Sequence, residues 1–240
     1  MAGSLTTLVT GTFDSTNDTA YPLATATYTS GRLYIMTVRN RRTAAASERP
    51  SSISGGHASN VWSQPTNAID LTYQSTNNYL STWFMACAVT ETVTLQVNFT
   101  STHVNCSHHV AEGTGFDTSD MNSLIVQQNE LGDDANTNAS LAFSSGFANA
   151  GNCTYAVADY AATGTGQDIA GDANLTDLAD VEASGIEVGY MHVGWKASEE
   201  ATVNWTKSNT SVSGHGIMEL KITVAGGTTR RYSLALTGLG

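Results

Sequence analysis

The stretch VTLQVNFT, residues 93–100, alternates apolar and polar side chains without a break. Successive side chains of a β-strand point to opposite faces of the sheet, so this pattern predicts a half-buried antiparallel strand. Two continuous apolar runs, LYIMTV (residues 33–38) and WFMACAV (residues 83–89), predict strands that are covered on both faces. We expect these two apolar runs to form the centre of the core.

Similar short segments recur along the rest of the chain, and polar, Gly-rich stretches separate them. They cover residues 5–10, 24–28, 61–62, 123–127, 140–143, 154–160, 186–195, 202–206, 217–224 and 232–236. About a dozen strands predict an all-β, antiparallel β-sandwich or barrel with long polar loops. An immunoglobulin-like strand order stays open, because periodicity does not encode pairing. Apolar residues spaced by three within residues 174–182 predict one short helix, and no repeat of fixed period occurs.

Charge excludes two classes of partner. The 240 residues include 10 Lys+Arg and 21 Asp+Glu, which give a formal net charge of -11. Nucleic acid and anionic membranes attract proteins through basic patches, so neither is expected as the main partner. No stretch approaches the roughly 18 apolar residues of a membrane span. Residues 1–7 lack the basic and apolar regions of a signal peptide, which predicts a chain that does not use general secretion.

Residues with metal-binding or catalytic chemistry occur, but without the required spacing. On a strand, HVNCSHH (residues 103–109) directs at most two ligands to one face, whereas a zinc site needs three or four. Residues 133–138 and 171–180 are acidic and predict either a calcium site or Asx turns. A glycoside hydrolase needs two opposed carboxylates, and nothing brings the candidates together, so this function ranks last. The candidates are Glu112, Asp117, Asp159, Glu187 and Glu219.

Cysteines and aromatic residues allow further interpretations. Cys87, Cys106 and Cys153 cannot all pair within one chain, and they are expected as small buried hydrophobic residues. No cofactor is predicted. Tyr73, Tyr79 and Trp62, if exposed together, would form a platform on which sugars stack, although large aromatic residues are more often buried.

The chain is expected to divide into a β-sandwich domain, residues 1–224, and a C-terminal extension with an appended strand, residues 225–240. An appended strand can pair with the sheet edge of a neighbouring subunit. Four of the ten Lys and Arg residues lie within residues 39–56, which predict a long exposed connection and a contact for an acidic partner surface. The predicted partner-binding residues are Arg39, Arg41, Arg42, Arg49, Arg230, Arg231, Tyr232, Leu234 and Leu236.

Five segments together resemble β-sandwich proteins of tailed-phage particles. They are YTSGRLYIMTVR (residues 28–39), PSSISGG (50–56), VWSQ (61–64), VAEGTGFDTS (110–119) and IMELKI (217–222). The resemblance spans most of residues 1–224 and rests on turns and core strands.

The resemblance implies a jelly-roll-like or related β-sandwich and a non-enzymatic structural protein located in the virion. Such a protein would bind the major capsid protein, other virion proteins or copies of itself, as a head decoration (cement) protein. A symmetric homo-oligomer such as a trimer is expected. The alternatives are a tail fibre or a carbohydrate-binding adhesin.

Overall fold

The computed structural model describes residues 2–42, 46–74, 77–162, 169–182, 188–208 and 210–223. These residues form strands and one short 3₁₀ turn, Met121–Ser123. The strands are β1 (Ser4–Asp14), β2 (Asp18–Pro22), β3 (Ala26–Tyr28), β4 (Leu33–Arg41), β5 (Ser52–Ser54), β6 (Asp70–Tyr73), β7 (Asn78–Ala86), β8 (Glu91–Val93), β9 (Gln96–His103), β10 (Asn105–Thr114), β11 (Ile125–Asp134), β12 (Asn138–Ala142), β13 (Cys153–Ala162), β14 (Ile169–Ala170), β15 (Thr176–Glu182), β16 (Val188–Lys196), β17 (Thr202–Lys207) and β18 (Ser213–Leu220).

Strand pairing divides the chain into two units of the same topology. In the N-terminal unit (β1 to β10), a five-stranded N sheet has the order β1-β10-β4-β7-β6, and a three-stranded N cover has the order β2-β9-β5. In the C-terminal unit (β11 to β18), the C sheet has the order β11-β18-β13-β16-β15, and the C cover has the order β12-β17-β14. The N-terminal unit has one additional strand pair, β3-β8. If this pair is set aside and the remaining eight strands of each unit are numbered in chain order, both large sheets have the order 1-8-3-6-5 and both covers have the order 2-7-4. This is a jelly-roll order in which the fifth strand has joined the larger sheet.

The two units pack reciprocally. At one edge β1 lies against β15, where Thr7 Oγ1 donates to the carbonyl of Leu178 over 2.5 Å. At the opposite edge β6 lies against β11, where the amide of Asp70 donates to Glu130 Oε1 over 2.7 Å. Exchanging the units converts the first contact into the second, which is the relation that a twofold axis imposes. The two units therefore contact each other through equivalent strands.

Four sheets stacked in this way enclose three apolar layers. The central layer lies between the N sheet and the C sheet and includes Ile35, Phe84, Val157 and Met218. A second layer fills the N-terminal unit beneath the N cover, and a third fills the C-terminal unit beneath the C cover. The five-stranded sheets are covered on both faces, which explains the continuous apolar runs at β4 and β7.

The predicted all-β, antiparallel sandwich is confirmed. The alternation at residues 93–100 also predicted the correct faces, because Leu95, Val97 and Phe99 are buried, although the segment divides between β8 and β9. Residues 61–62 are not a strand; they precede a bridge between Ser63 and Phe84.

The predicted helix at residues 174–182 is wrong. The segment contains β15, which pairs with β16 at the edge of the C sheet. The register shifts between Asp177 and Ala179, so that Leu178 is an extra residue in a β-bulge. The bulge interrupts the two-residue alternation of a strand and produces the three-residue spacing that suggested a helix.

The predicted exposed connection at residues 39–56 is also wrong at its beginning. β4 continues to Arg41, and Arg39 is 1% exposed. The boundary between a sandwich and a C-terminal extension stays a prediction, because residues 224–240 lie outside the described residues. The predicted contact residues Arg230, Arg231, Tyr232, Leu234 and Leu236 lie outside them as well.

Candidate functional site

A groove of about 480 Å³ opens on the N-terminal unit and is called here the Trp83 groove. Its volume lies in the range of small-ligand clefts. Its lining residues come from the connection after β4, from the loop before β6, and from β7 and β9: Glu48, Arg49, Pro50, Ser51, Gln64, Trp83 and Thr100.

Backbone and side-chain bonds to β9 hold the connection after β4 along one wall of this groove. The amide of Ser51 donates to the carbonyl of Asn98 over 2.7 Å. Glu48 Oε1 accepts from Thr100 Oγ1 at 2.6 Å and from the amide of Ser101 at 2.8 Å. Burial raises the pKa of Glu48, but these hydrogen bonds outweigh it, and the pKa lies below its ordinary value. The wall therefore presents an ionised carboxylate at neutral pH.

Arg49 forms the opposite side of the groove. Its Nη1 donates to Gln64 Oε1 over 3.0 Å and lies 3.5 Å from Asp70 Oδ2. The side chain remains 59% exposed. The Gln64 amide is fixed in turn, because its Nε2 donates to the carbonyl of Ile69 over 3.3 Å. The guanidinium is thus oriented by two neighbours while its outer edge faces water.

Trp83 lies at the base of the groove. It belongs to β7 and is 8% exposed, and it packs in the apolar layer of the N-terminal unit. Its Nε1 donates to Ser81 Oγ over 3.3 Å. An indole at the base of polar walls combines an apolar surface with directional hydrogen-bonding groups.

A buried ion pair joins the two central strands of the stack, β4 and β13. Arg39 Nε donates to Asp159 Oδ2 over 3.1 Å, and both side chains are inaccessible to solvent. The guanidinium also donates to Asn105 Oδ1 at 2.5 Å and to Asn78 Oδ1 at 3.1 Å. Burial raises the pKa of Asp159 to about 6, although Arg39 acts in the opposite direction. Because both side chains are closed to solvent, the cluster belongs to the packed interface between the units and not to a ligand site.

A second buried polar cluster lies at the end of the C-terminal unit. Ser213 Oγ lies 2.7 Å from His215 Nε2, and Lys207 Nζ donates to the same hydroxyl over 2.7 Å. A catalytic triad needs the carboxylate at the other ring nitrogen, but Asp134 Oδ2 lies 3.7 Å from Nε2 itself. Ser213 is also fully buried. This set of residues holds β11, β17 and β18 together and offers no approach to a substrate.

The histidine and cysteine residues of segment 103–109 are distributed over two strands. His103 ends β9 and packs on Phe99 with ring centroids 4.1 Å apart, while His108 and His109 lie in β10. Within the described ranges, no group of three or more His, Cys, Asp or Glu side chains is arranged to hold a metal ion. Cys87, Cys106 and Cys153 are free and buried, as predicted.

The described candidate carboxylates each have their own local partner. Glu112 contacts Arg32 at 3.0 Å, Asp117 contacts Lys221 at 2.8 Å, and Asp159 contacts Arg39. Glu219 accepts from three donors, namely Asn152 Nδ2, Gln127 Nε2 and the amide of Ala148. Glu187 lies outside the described residues.

The acidic segments at residues 133–138 and 171–180 form Asx turns. Asp134 Oδ1 accepts from the amide of Asn136 at 3.0 Å, and Asp172 Oδ1 accepts from the amide of Asn174 at 2.9 Å. These bonds satisfy the turns without a bound cation.

The predicted arginine contacts are only partly accessible to solvent. As a surface contact Arg39 is wrong, because it is buried in the ion pair. Arg41 and Arg42 are half-buried, and Arg42 Nη1 donates to the carbonyl of Ala46 over 3.0 Å. Arg49 is exposed and lines the Trp83 groove.

The three aromatic residues form no exposed platform, and the favoured alternative, burial, is found for Tyr73 and Trp62. Tyr73 is fully buried, Trp62 is 8% exposed, and the hydroxyl of Tyr79 donates to Asp70 Oδ1 over 2.8 Å. Sequence reasoning did not identify Trp83, Gln64, Glu48 or Thr100 as site residues. They are distant in sequence and follow no spacing rule, and Trp83 was assigned only to a core strand.

Among the described residues, no helix has the length and apolar character needed to cross a membrane. A scan of the chain against protein-family models and searches among curated proteins and solved structures found no match.

Proposed function

We propose that this protein is a non-enzymatic structural component of a tailed-phage particle. It would act as a decoration or cement protein that binds the capsid lattice or copies of itself. Jelly-roll sandwiches are typical of viral capsid and lectin domains, and this chain contains two. The phage assignment itself rests on the sequence resemblance.

The observation that carries the proposal is the chemistry of the two outermost sheets. The N cover exposes Ser52 and Ser54 of β5, and the C cover exposes Asn138, Ser140 and Thr206 of β12 and β17. Short, uncharged polar side chains lose little conformational entropy on contact, and no charge has to be desolvated. The two covers lie on opposite sides of a four-sheet stack, which suits a protein that bridges two neighbours.

The first test measures self-association of the full chain by size-exclusion chromatography with light scattering. We expect a homo-oligomer, and we expect Ser52→Arg together with Thr206→Arg to dissociate it, because both substitutions place a charge on a cover. Asn122→Arg, at the exposed 3₁₀ turn, is the matched control and should leave the mass unchanged.

The second test applies proteomic mass spectrometry to particles purified on a density gradient from the source material. Peptides of this chain should co-migrate with capsid proteins. A chain that is monomeric at high concentration and missing from every particle fraction would refute the proposal.

A further inference from the structure

We propose that the Trp83 groove binds a neutral saccharide. The groove combines an aromatic base with a carboxylate, a guanidinium, an amide and hydroxyl groups around it. Saccharides present apolar C–H faces and dense arrays of hydroxyl groups, which match these two kinds of surface. This inference is independent of the proposed role in a particle.

The charges of the groove favour a neutral ligand over an anionic one. Glu48 and Arg49 are adjacent and carry opposite charges, and both line the groove. A phosphate or carboxylate ligand would gain from Arg49 but would be repelled by Glu48. A neutral hydroxyl group, which is both donor and acceptor, can bond to either residue without a net electrostatic penalty.

The polar groups are already positioned in the free protein. Thr100 and Ser101 both bond to Oε1 of Glu48, which leaves the lone pairs of Oε2 for ligand hydroxyls. Gln64 and Asp70 orient the guanidinium of Arg49. Preorganised groups lose little conformational entropy when a ligand binds, which strengthens an otherwise weak contact with a small sugar.

Trp83 supplies the apolar part of the contact. Its indole is held by the core of the N-terminal unit and by the bond to Ser81, so the ring has a fixed orientation. Pro50, which also lines the groove, adds a second apolar group without a backbone donor. Because Trp83 is 8% exposed, a pyranose would contact only the accessible part of the ring while its hydroxyls reach the polar walls.

The experiment uses the full chain on a glycan microarray. It is followed by calorimetric titration with methyl glycosides and disaccharides of glucose, galactose, mannose and N-acetylglucosamine. We expect saturable binding of at least one of them. Arg49→Ala and Glu48→Gln should each weaken it by about tenfold or more, since each removes hydrogen bonds from a charged group.

The matched control is Arg32→Ala. Arg32 is also an exposed arginine of the N-terminal unit that is paired with a carboxylate, but it does not line the groove. We expect Arg32→Ala to change the affinity less than about twofold. Trp83→Phe should weaken binding as well. Thermal unfolding of this variant shows whether the weaker binding reflects a lost contact with the ligand or a destabilised fold.

Three results would overturn the proposal. The first is that none of these saccharides binds at millimolar concentration. The second is that Arg49→Ala and Glu48→Gln bind as tightly as the unmodified protein. The third is that the groove captures a peptide or a phosphorylated ligand on an array while neutral glycans fail. None of these results bears on self-association, which is measured separately.

Discussion

The two units share one topology but differ in what they add to it. The N-terminal unit has the additional strand pair β3-β8 and the Trp83 groove. The C-terminal unit instead buries Lys207, Ser213 and His215 at its end. Where the units meet, the N-terminal unit contributes the cation Arg39 and the C-terminal unit contributes the anion Asp159. A symmetric homodimer would present two identical groups at related positions. Here the two sides of the interface are complementary and not identical.

The comparison separates the features that both units share from the features in which they differ. Strand order and the apolar inner faces are the same in both units, because every strand must pair and every inner face must be covered. Polar residues within the sheets and connections between the strands differ freely. The eighth strands, β10 and β18, illustrate this freedom, since both bury histidine but beside different partners.

The largest expected effect is acid unfolding, and it compares these two strands. Burial lowers the pKa of His108 and His215 to about 4 and that of His109 to about 3, from an ordinary 6.5. Below pH 6.5 the unfolded chain binds protons at these residues while the folded chain does not, so stability falls as the pH falls. The three residues should together cost several kcal/mol at pH 5, about 2 kcal/mol each.

Asp159 opposes part of this loss. Its pKa is raised from an ordinary 3.8 to about 6, so the folded chain gains a proton there between pH 6 and pH 4. Urea unfolding from pH 7 to pH 5 measures the net slope. His215→Gln should make the slope shallower by about one proton. A slope of zero in the unmodified protein would show that the buried histidines do not resist protonation.

The second effect concerns the ion pair between the units. Arg39→Ala leaves Asp159 buried without its cation and should cost about 3–5 kcal/mol in the free energy of unfolding. Replacing both partners, Arg39→Met with Asp159→Leu, should recover most of that loss, because no charge then remains in the interface. Arg32→Ala, which breaks a partly exposed pair with Glu112, is the control and should cost less than about 1 kcal/mol. If the double variant were as unstable as the single one, the cost would lie in packing and not in charge.

These features show how far the sequence predicts the fold. Alternation and apolar runs located most strands, because burial on one face or on both leaves a direct pattern. The bulge at Leu178 defeated the same rule, since one extra residue shifts every later side chain to the other face. The shared strand order of the two units was not predicted, because the periodicity of a sequence does not encode which strands pair.

The sites were harder to predict for a related reason. Arg39 follows an apolar run directly, and a charged residue there normally indicates the end of a strand. Its partner Asp159 lies 120 positions away in the other unit. The Trp83 groove likewise joins residues from segments that only the folded sheets bring together. Charge counts predicted the arginine-rich segment, but they could not distinguish a buried arginine from an exposed one.

The smallest expected effect on stability concerns one glycine of β16, Gly189, at the interface between the units. A Cβ atom built at Gly189 would lie 2.6 Å from Cζ of Arg39, so β16 approaches the guanidinium as closely as glycine allows. Gly189→Ala should therefore cost about 1–3 kcal/mol, measured by urea unfolding. Gly146→Ala, which has nothing within 4 Å, should change stability by less than about 0.5 kcal/mol. In an Arg39→Ala background the cost of Gly189→Ala should largely disappear, because the two residues are in contact and their effects are not additive. Additive costs would mean that the close approach of Gly189 and Arg39 does not restrain this interface.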